Sequence, residues 1–170
     1  MNTGKRQAYL SEGWFAMLTE ESDRAFADCP RTVSLIERYT GAPEGAWPHA
    51  DRLPGFRIDF RAGASTVRPG AFAGEQGDLV VDVSWENARR LVSIPSAAGL
   101  SALMAELGES GALNVAGDLS LLPFDPFAFH DAVVARTCVS ADTLNGPQVE
   151  PLAADGDGPP RWPQIRAPLK

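Results

Sequence analysis

Cysteine is nearly absent from this chain of 170 residues: Cys29 and Cys138 are the two it has. A pair so far apart cannot make a disulfide-rich scaffold, so both are expected to be reduced thiols. Lysine is equally scarce, with 13 of the 15 basic residues being arginine, and 22 acidic residues bring the net charge to −7. That balance argues against general nucleic-acid binding, which needs a cationic surface to displace counterions. It also disfavours adsorption to anionic lipid through charge. Long apolar runs are missing: no stretch of 18 consecutive apolar residues occurs, so no membrane span is expected. The first residues, MNTGKRQAYLSEGW, show no signal-peptide pattern, and a soluble cytoplasmic protein is the default expectation.

Chemical motifs are lacking as well. Two cysteines and two histidines offer no CxxC, HxxxH or HExxH spacing, so no metal and no cofactor is expected. Neither glycine-rich phosphate-binding pattern appears. His130 neighbours Asp131, but adjacent helical positions point about 100° apart, so that carboxylate orients the imidazole poorly. Cys138 lies about 12 Å further along a helix and makes no dyad with His130. His49, in a proline-rich stretch, is a weaker candidate still. Asp59 and Asp82 sit at polar positions inside alternating segments, where a solvent-facing carboxylate is the ordinary outcome. Turned into an apolar cavity, either would have a raised pKa and could serve as a general acid or base.

What the chain does have is a 44% hydrophobic content, enough for one globular domain with a substantial core. Residues 10–40 read as helical, with Trp14, Phe15, Met17 and Leu18 followed by Val33, Leu35, Ile36 and Tyr39 beyond a helix start at Pro30. Residues 41–55, rich in proline and glycine, form a loop whose Trp47 is expected to pack back onto the body. FRIDF (56–60) alternates strictly and predicts a strand with one wet face. ASTVR (64–68) is its expected partner. DLVVDVS (78–84) predicts a further strand, with Leu79, Val81 and Val83 on one face and Val80 and Asp82 on the other. At Ser84, a helix cap, the period changes to that of a helix. A second helix spans about 97–107 and stops at Gly108. GALNVAGDL (111–119) is a short strand ending at Gly117. Asp125 and Pro126 then supply a helix start.

Residues 147–170 hold six of the 14 prolines and read as part of an extended tail. The expected division is 1–139 for the domain and 140–170 for the tail, whose Trp162, Ile165 and Leu169 are able to dock on the body.

Two stretches, GDLVVDVSWENARRLVS and LMAELGESGALNVAGDLSLL, with the order strand, strand, strand, helix, helix, short strand, resemble the sterol carrier protein 2 (SCP2-like) family. The resemblance covers about residues 55–138. It implies an α/β (α+β) fold, with a mostly antiparallel sheet of about five strands, helices over one face and an apolar tunnel between. To this the chain adds its N-terminal helical region and proline-rich tail. The final APLK is not a peroxisomal address of the Ser-Lys-Leu kind.

The apolar residues around GALNVAGDL are either packed core or the wall of a ligand cavity, since both use the same side chains. The resemblance favours a module that binds or carries a lipid, a sterol-like or a polyketide-like molecule. Its expected contacts are Leu79, Val81, Val83, Leu113, Val115, Leu119, Leu122, Phe124 and Phe127, with Phe129 beside them in a lid or floor. The alternative is an enzyme (a cyclase, isomerase or hydrolase) using the same cavity, with His130, Asp59 and Asp82 as its catalytic candidates. The expected partner is a hydrophobic small molecule. A homodimer, or a partner enzyme engaged through the tail, is the further option.

Overall fold

Ser11 ends the extended entry of the chain and caps α1 (Glu12–Phe26), its side chain accepting a hydrogen bond from the Trp14 amide. Trp14, Phe15, Met17, Leu18 and Phe26 then recur at helical spacing and are all buried. The structure, a computed structural model, describes residues 5–27, 31–61, 63–122 and 124–139. The proposed tail at 140–170, the helix start at Pro30 and Cys29 lie outside these residues, while Cys138 is exposed.

A five-stranded sheet forms the body. It comprises β2 (Thr32–Thr40), β3 (Leu53–Arg61), β4 (Ala64–Ala71), β5 (Leu79–Ser84) and β6 (Leu113–Gly117), in the order β4-β3-β2-β5-β6. Within it the β2–β5 pairing is parallel and the others are antiparallel. A separate parallel pair, β1 (Gln7–Ala8) with β7 (Thr137–Cys138), ties the two ends of the described chain together. Helices α1, α2 (Trp85–Leu91), α3 (Ala97–Glu109) and α4 (Pro126–Ala135) contribute to one core with the same sheet face. This is the mixed α/β, mostly antiparallel architecture expected.

The helical reading of 10–40 holds for α1 and fails for 32–40, which is the central strand. Leu35 and Ile36 are adjacent yet both buried, because β2 is covered on both faces. On one side Val33, Leu35 and Tyr39 meet the helices. On the other, Ile36 packs with Ala71 and Val80, and Gly77 lies so close that a Cβ there would meet the Ile36 side chain at 3.0 Å. A strand buried on two faces loses its alternation and imitates a helical stripe.

The other local signals act as their chemistry dictates. Ser84 caps α2 and Asp125 caps α4, with Pro126 in its first turn. Helix α3 runs one residue past Gly108, and the left-handed turn falls instead at Gly111. Trp47 does fold back, its ring 6.4 Å from Phe15 and its indole nitrogen donating to the Arg52 carbonyl.

Candidate functional site

Between the sheet and its helices lies a cavity of about 180 Å³. Its floor is the helix-facing side of the sheet: Leu35, Glu37 and Tyr39 from β2, Phe56 from β3, Val81 and Val83 from β5, and Leu113 from β6. Ala88 and Leu91 of α2, Leu100 and Met104 of α3, and Phe129, His130 and Val133 of α4 form the roof. Tyr9, Trp14 and Leu18 close one end. Leu119, Leu122 and Phe124, each only partly buried, close another. The last wall exists because Gly117, at φ +104°, lets β6 stop. Asp118 then caps a single 3-10 turn, Leu119–Leu121. Phe124 links this wall to the core, its ring 5.4 Å from Phe60 and 5.1 Å from Phe129.

A small polar cluster interrupts the apolar lining. The Tyr9 hydroxyl donates to the Tyr39 hydroxyl at 2.9 Å, and Tyr39 donates to Oε2 of Glu37 at 2.6 Å. Glu37 stands on the cavity face because it pairs with Phe56 on one neighbouring strand and Val81 on the other. Burial pushes its carboxyl above the usual carboxylate range, against the opposing pull of the Tyr39 hydrogen bond. Burial likewise raises both tyrosines. His130 contacts the Ile94 carbonyl through Nε2 at 3.1 Å. A carbonyl only accepts, so Nε2 carries the hydrogen and Nδ1 is left as an acceptor. Burial lowers this imidazole's pKa, opposed by the Ile94 contact and by Asp131, and favours the neutral ring.

Of the nine apolar residues expected at the ligand, six border the cavity: Val81, Val83, Leu113, Leu119, Leu122 and Phe124. Leu79, Val115 and Phe127 are not among the residues that line it. Leu79 and Val115 share the cavity-facing side of their strands and are buried in the same core cluster as much of the lining. Phe127 and Phe129 are two residues apart on a helix, about 200° around its axis, so one helix orientation cannot aim both inward. Phe129 faces the cavity and Phe127 is buried elsewhere.

The three catalytic candidates separate. His130 borders the cavity. Asp59 and Asp82 are on the opposite face of the sheet, as strand alternation requires for neighbours of Ile58, Phe60, Val81 and Val83. Asp59 is held by Arg57 through two contacts of 2.8 and 2.9 Å. Asp82 is held by Arg38 through two of 2.6 Å. Glu75, from the connection between β4 and β5, joins Arg57 and Arg68 on that face. His49 stacks edge-on to Trp47 and is not among the cavity residues.

Glu37, Tyr39 and Tyr9 had no place among the site residues expected from sequence. For Glu37 and Tyr39 the signal was present in TVSLIERYT, where Val33, Leu35, Glu37 and Tyr39 recur at every second position, but the helical assignment hid it. Among the described residues, no group of three or more His, Cys, Asp or Glu is arranged to hold a metal ion, and no helix is long and apolar enough to cross a membrane.

No protein-family model matches this chain, and no curated protein matches it. Among solved structures, it is similar to a crystal structure of sterol carrier protein 2, at 17% identity and a TM-score of 0.45, over 75% of this chain and 97% of that one. It is also similar to the solution structure of a protein from Thermus thermophilus described as possibly a sterol carrier protein. That match has 19% identity and a TM-score of 0.40, over 85% of this chain and 97% of that one. The ubiquinone synthesis protein UbiJ-SCP2 is similar at 16% identity and a TM-score of 0.39, over 71% of this chain and 91% of that one.

Proposed function

We propose that the protein binds and carries a hydrophobic small molecule, of lipid, sterol-like or polyketide-like class, in the cavity between sheet and helices. The observation that carries this reading is the cavity itself, about 180 Å³ with walls that are overwhelmingly aliphatic and aromatic. Apolar cavities of about 150 Å³ stay dry and take up benzene-sized molecules. At rest the cavity therefore accommodates a ring or a short chain. A longer ligand makes room by displacing the partly exposed wall at Leu119, Leu122 and Phe124. A ligand burying about 300 Å² of apolar surface gains about 7.5 kcal/mol, the scale of a micromolar Kd before ordering costs.

Titration with N-phenyl-1-naphthylamine tests the reading. A saturable rise in fluorescence at one site per chain, together with a small apolar molecule retained in native mass spectrometry, is the expected result. A linear, unsaturable response with no retained molecule overturns it. A catalytic use of the cavity keeps His130 alone of the three residues first named for it, with Glu37 in the same lining as a second titratable group. Conversion of a hydrophobic metabolite that is lost in His130→Ala, with probe binding retained, would favour that alternative.

A further inference from the structure

The cavity's hydrogen-bonding groups are unequally committed, and the imbalance specifies the occupant. Each of the two tyrosine hydroxyls has one hydrogen to donate. That of Tyr9 goes to Tyr39, and that of Tyr39 goes to Glu37 Oε2. The Trp14 indole hydrogen goes to the Thr137 hydroxyl, and the Nε2 hydrogen of His130 goes to the Ile94 carbonyl. Among the described residues, no lysine or arginine borders the cavity. Arg89 of α2 lies close enough to Tyr9 to bear on its hydroxyl but is outside the lining. With Glu37 ionised, every donor of the lining side chains is spent, whereas acceptors remain. Among the described residues, Oε1 of Glu37 receives no hydrogen bond, and Nδ1 of His130 and a lone pair of Tyr9 are likewise available.

From this accounting we infer that the Glu37–Tyr39–Tyr9 chain is a head-group subsite for an apolar molecule ending in a hydrogen-bond donor, a hydroxyl or an amine, and that it rejects carboxylates. The inference rests on the carrier reading above. An alcohol or ammonium group reaching Glu37 gives its hydrogen to Oε1 while its chain or ring fills the space between Val81, Leu91 and Phe129. A fatty-acid carboxylate brings a second negative charge to a desolvated carboxylate and finds no uncommitted donor. An ether or ester end supplies no hydrogen and leaves Oε1 unpaired. Buried polar groups left without partners are what discriminates strongly between otherwise similar ligands.

The experiment is calorimetric titration of the full chain at pH 8 with four molecules of matched length: octan-1-ol, octylamine, octanoate and 1-methoxyheptane. Octanol and octylamine are expected to bind at least tenfold more tightly than the ether, and octanoate most weakly. Glu37→Gln removes the negative charge at nearly constant shape. It should narrow the preference for octylamine over octanoate at least tenfold. Should that variant lose its native circular dichroism spectrum, Tyr39→Phe serves instead: it frees the Tyr9 hydrogen, so the ether should gain at least threefold relative to octanol.

Octanoate binding as tightly as octanol, with the naphthylamine probe still saturable, overturns the head-group assignment and leaves the carrier reading standing. An unchanged octylamine preference in folded Glu37→Gln does the same. Absence of binding by all four molecules and by the probe overturns both.

Discussion

Ala88 projects from α2 into the cavity and is 4% exposed, so Ala88→Leu distinguishes a real void from ordinary core. At about 24 cal/mol per Å³, a void of 180 Å³ forgoes about 4 kcal/mol of packing. Leucine adds three carbons, worth about 2.4 kcal/mol at about 0.8 kcal/mol per buried carbon. Ordering its rotamers and its slightly lower helix propensity return about 1 kcal/mol. A net gain of about 1 kcal/mol follows, visible as a rise in Tm of about 3–5 °C for a domain of this size. The urea midpoint should rise at unchanged slope. Naphthylamine binding should weaken at least tenfold, because the added side chain takes the ligand's space. In a packed interior the same three carbons would cost about 1–3 kcal/mol through strain. A fall in both Tm and urea midpoint would therefore show that side chains already fill this space. Stability gained as binding is lost is the signature of a site kept open for function.

Gly117→Ala should destabilise by about 3 kcal/mol in urea titration, since φ of +104° is strained for alanine and its Cβ would lie 2.0 Å from the Asp78 carbonyl oxygen. Asp82→Asn breaks the two-contact pair with Arg38 on the far face. The expected loss is about 1 kcal/mol, shrinking in 1 M salt, with probe affinity unchanged within twofold; a large change in probe affinity would contradict the separation of the two faces. The raised pKa of Glu37 means that it holds a proton more readily in the folded chain than in the unfolded one. Its stabilising share is complete below its ordinary value of 4.5 and is lost as pH rises through the folded-state value. Glu37→Gln should remove that decline from the profile of unfolding free energy against pH; identical profiles would refute the assignment.

Alternation in FRIDF and DLVVDVS, the serine and aspartate caps and Asp125-Pro126 are local instructions, and the structure follows each of them. They were legible because a half-buried strand or a capped helix turn records its surroundings in residues two to four apart. TVSLIERYT was misread because its surroundings are two layers brought from elsewhere: α1–α4 on one side and the 72–78 connection on the other. Burial of Leu35 and Ile36 together erased the alternation that would have exposed Glu37 as a cavity residue. Phe127 and Phe129 pose the same difficulty on α4, where both are apolar and only docking against the sheet selects one.

By itself the sequence determined the class of chain, the starts of α2, α3 and α4, the faces of β3 and β5, and an apolar segment around Gly117. Tertiary structure alone decided that these faces stop short of contact and leave a cavity, that Glu37 and His130 border it, and that Asp59 and Asp82 do not. The physical reason is that periodicity assigns a side chain to a face, whereas a void is set by the distance between faces contributed by distant parts of the chain.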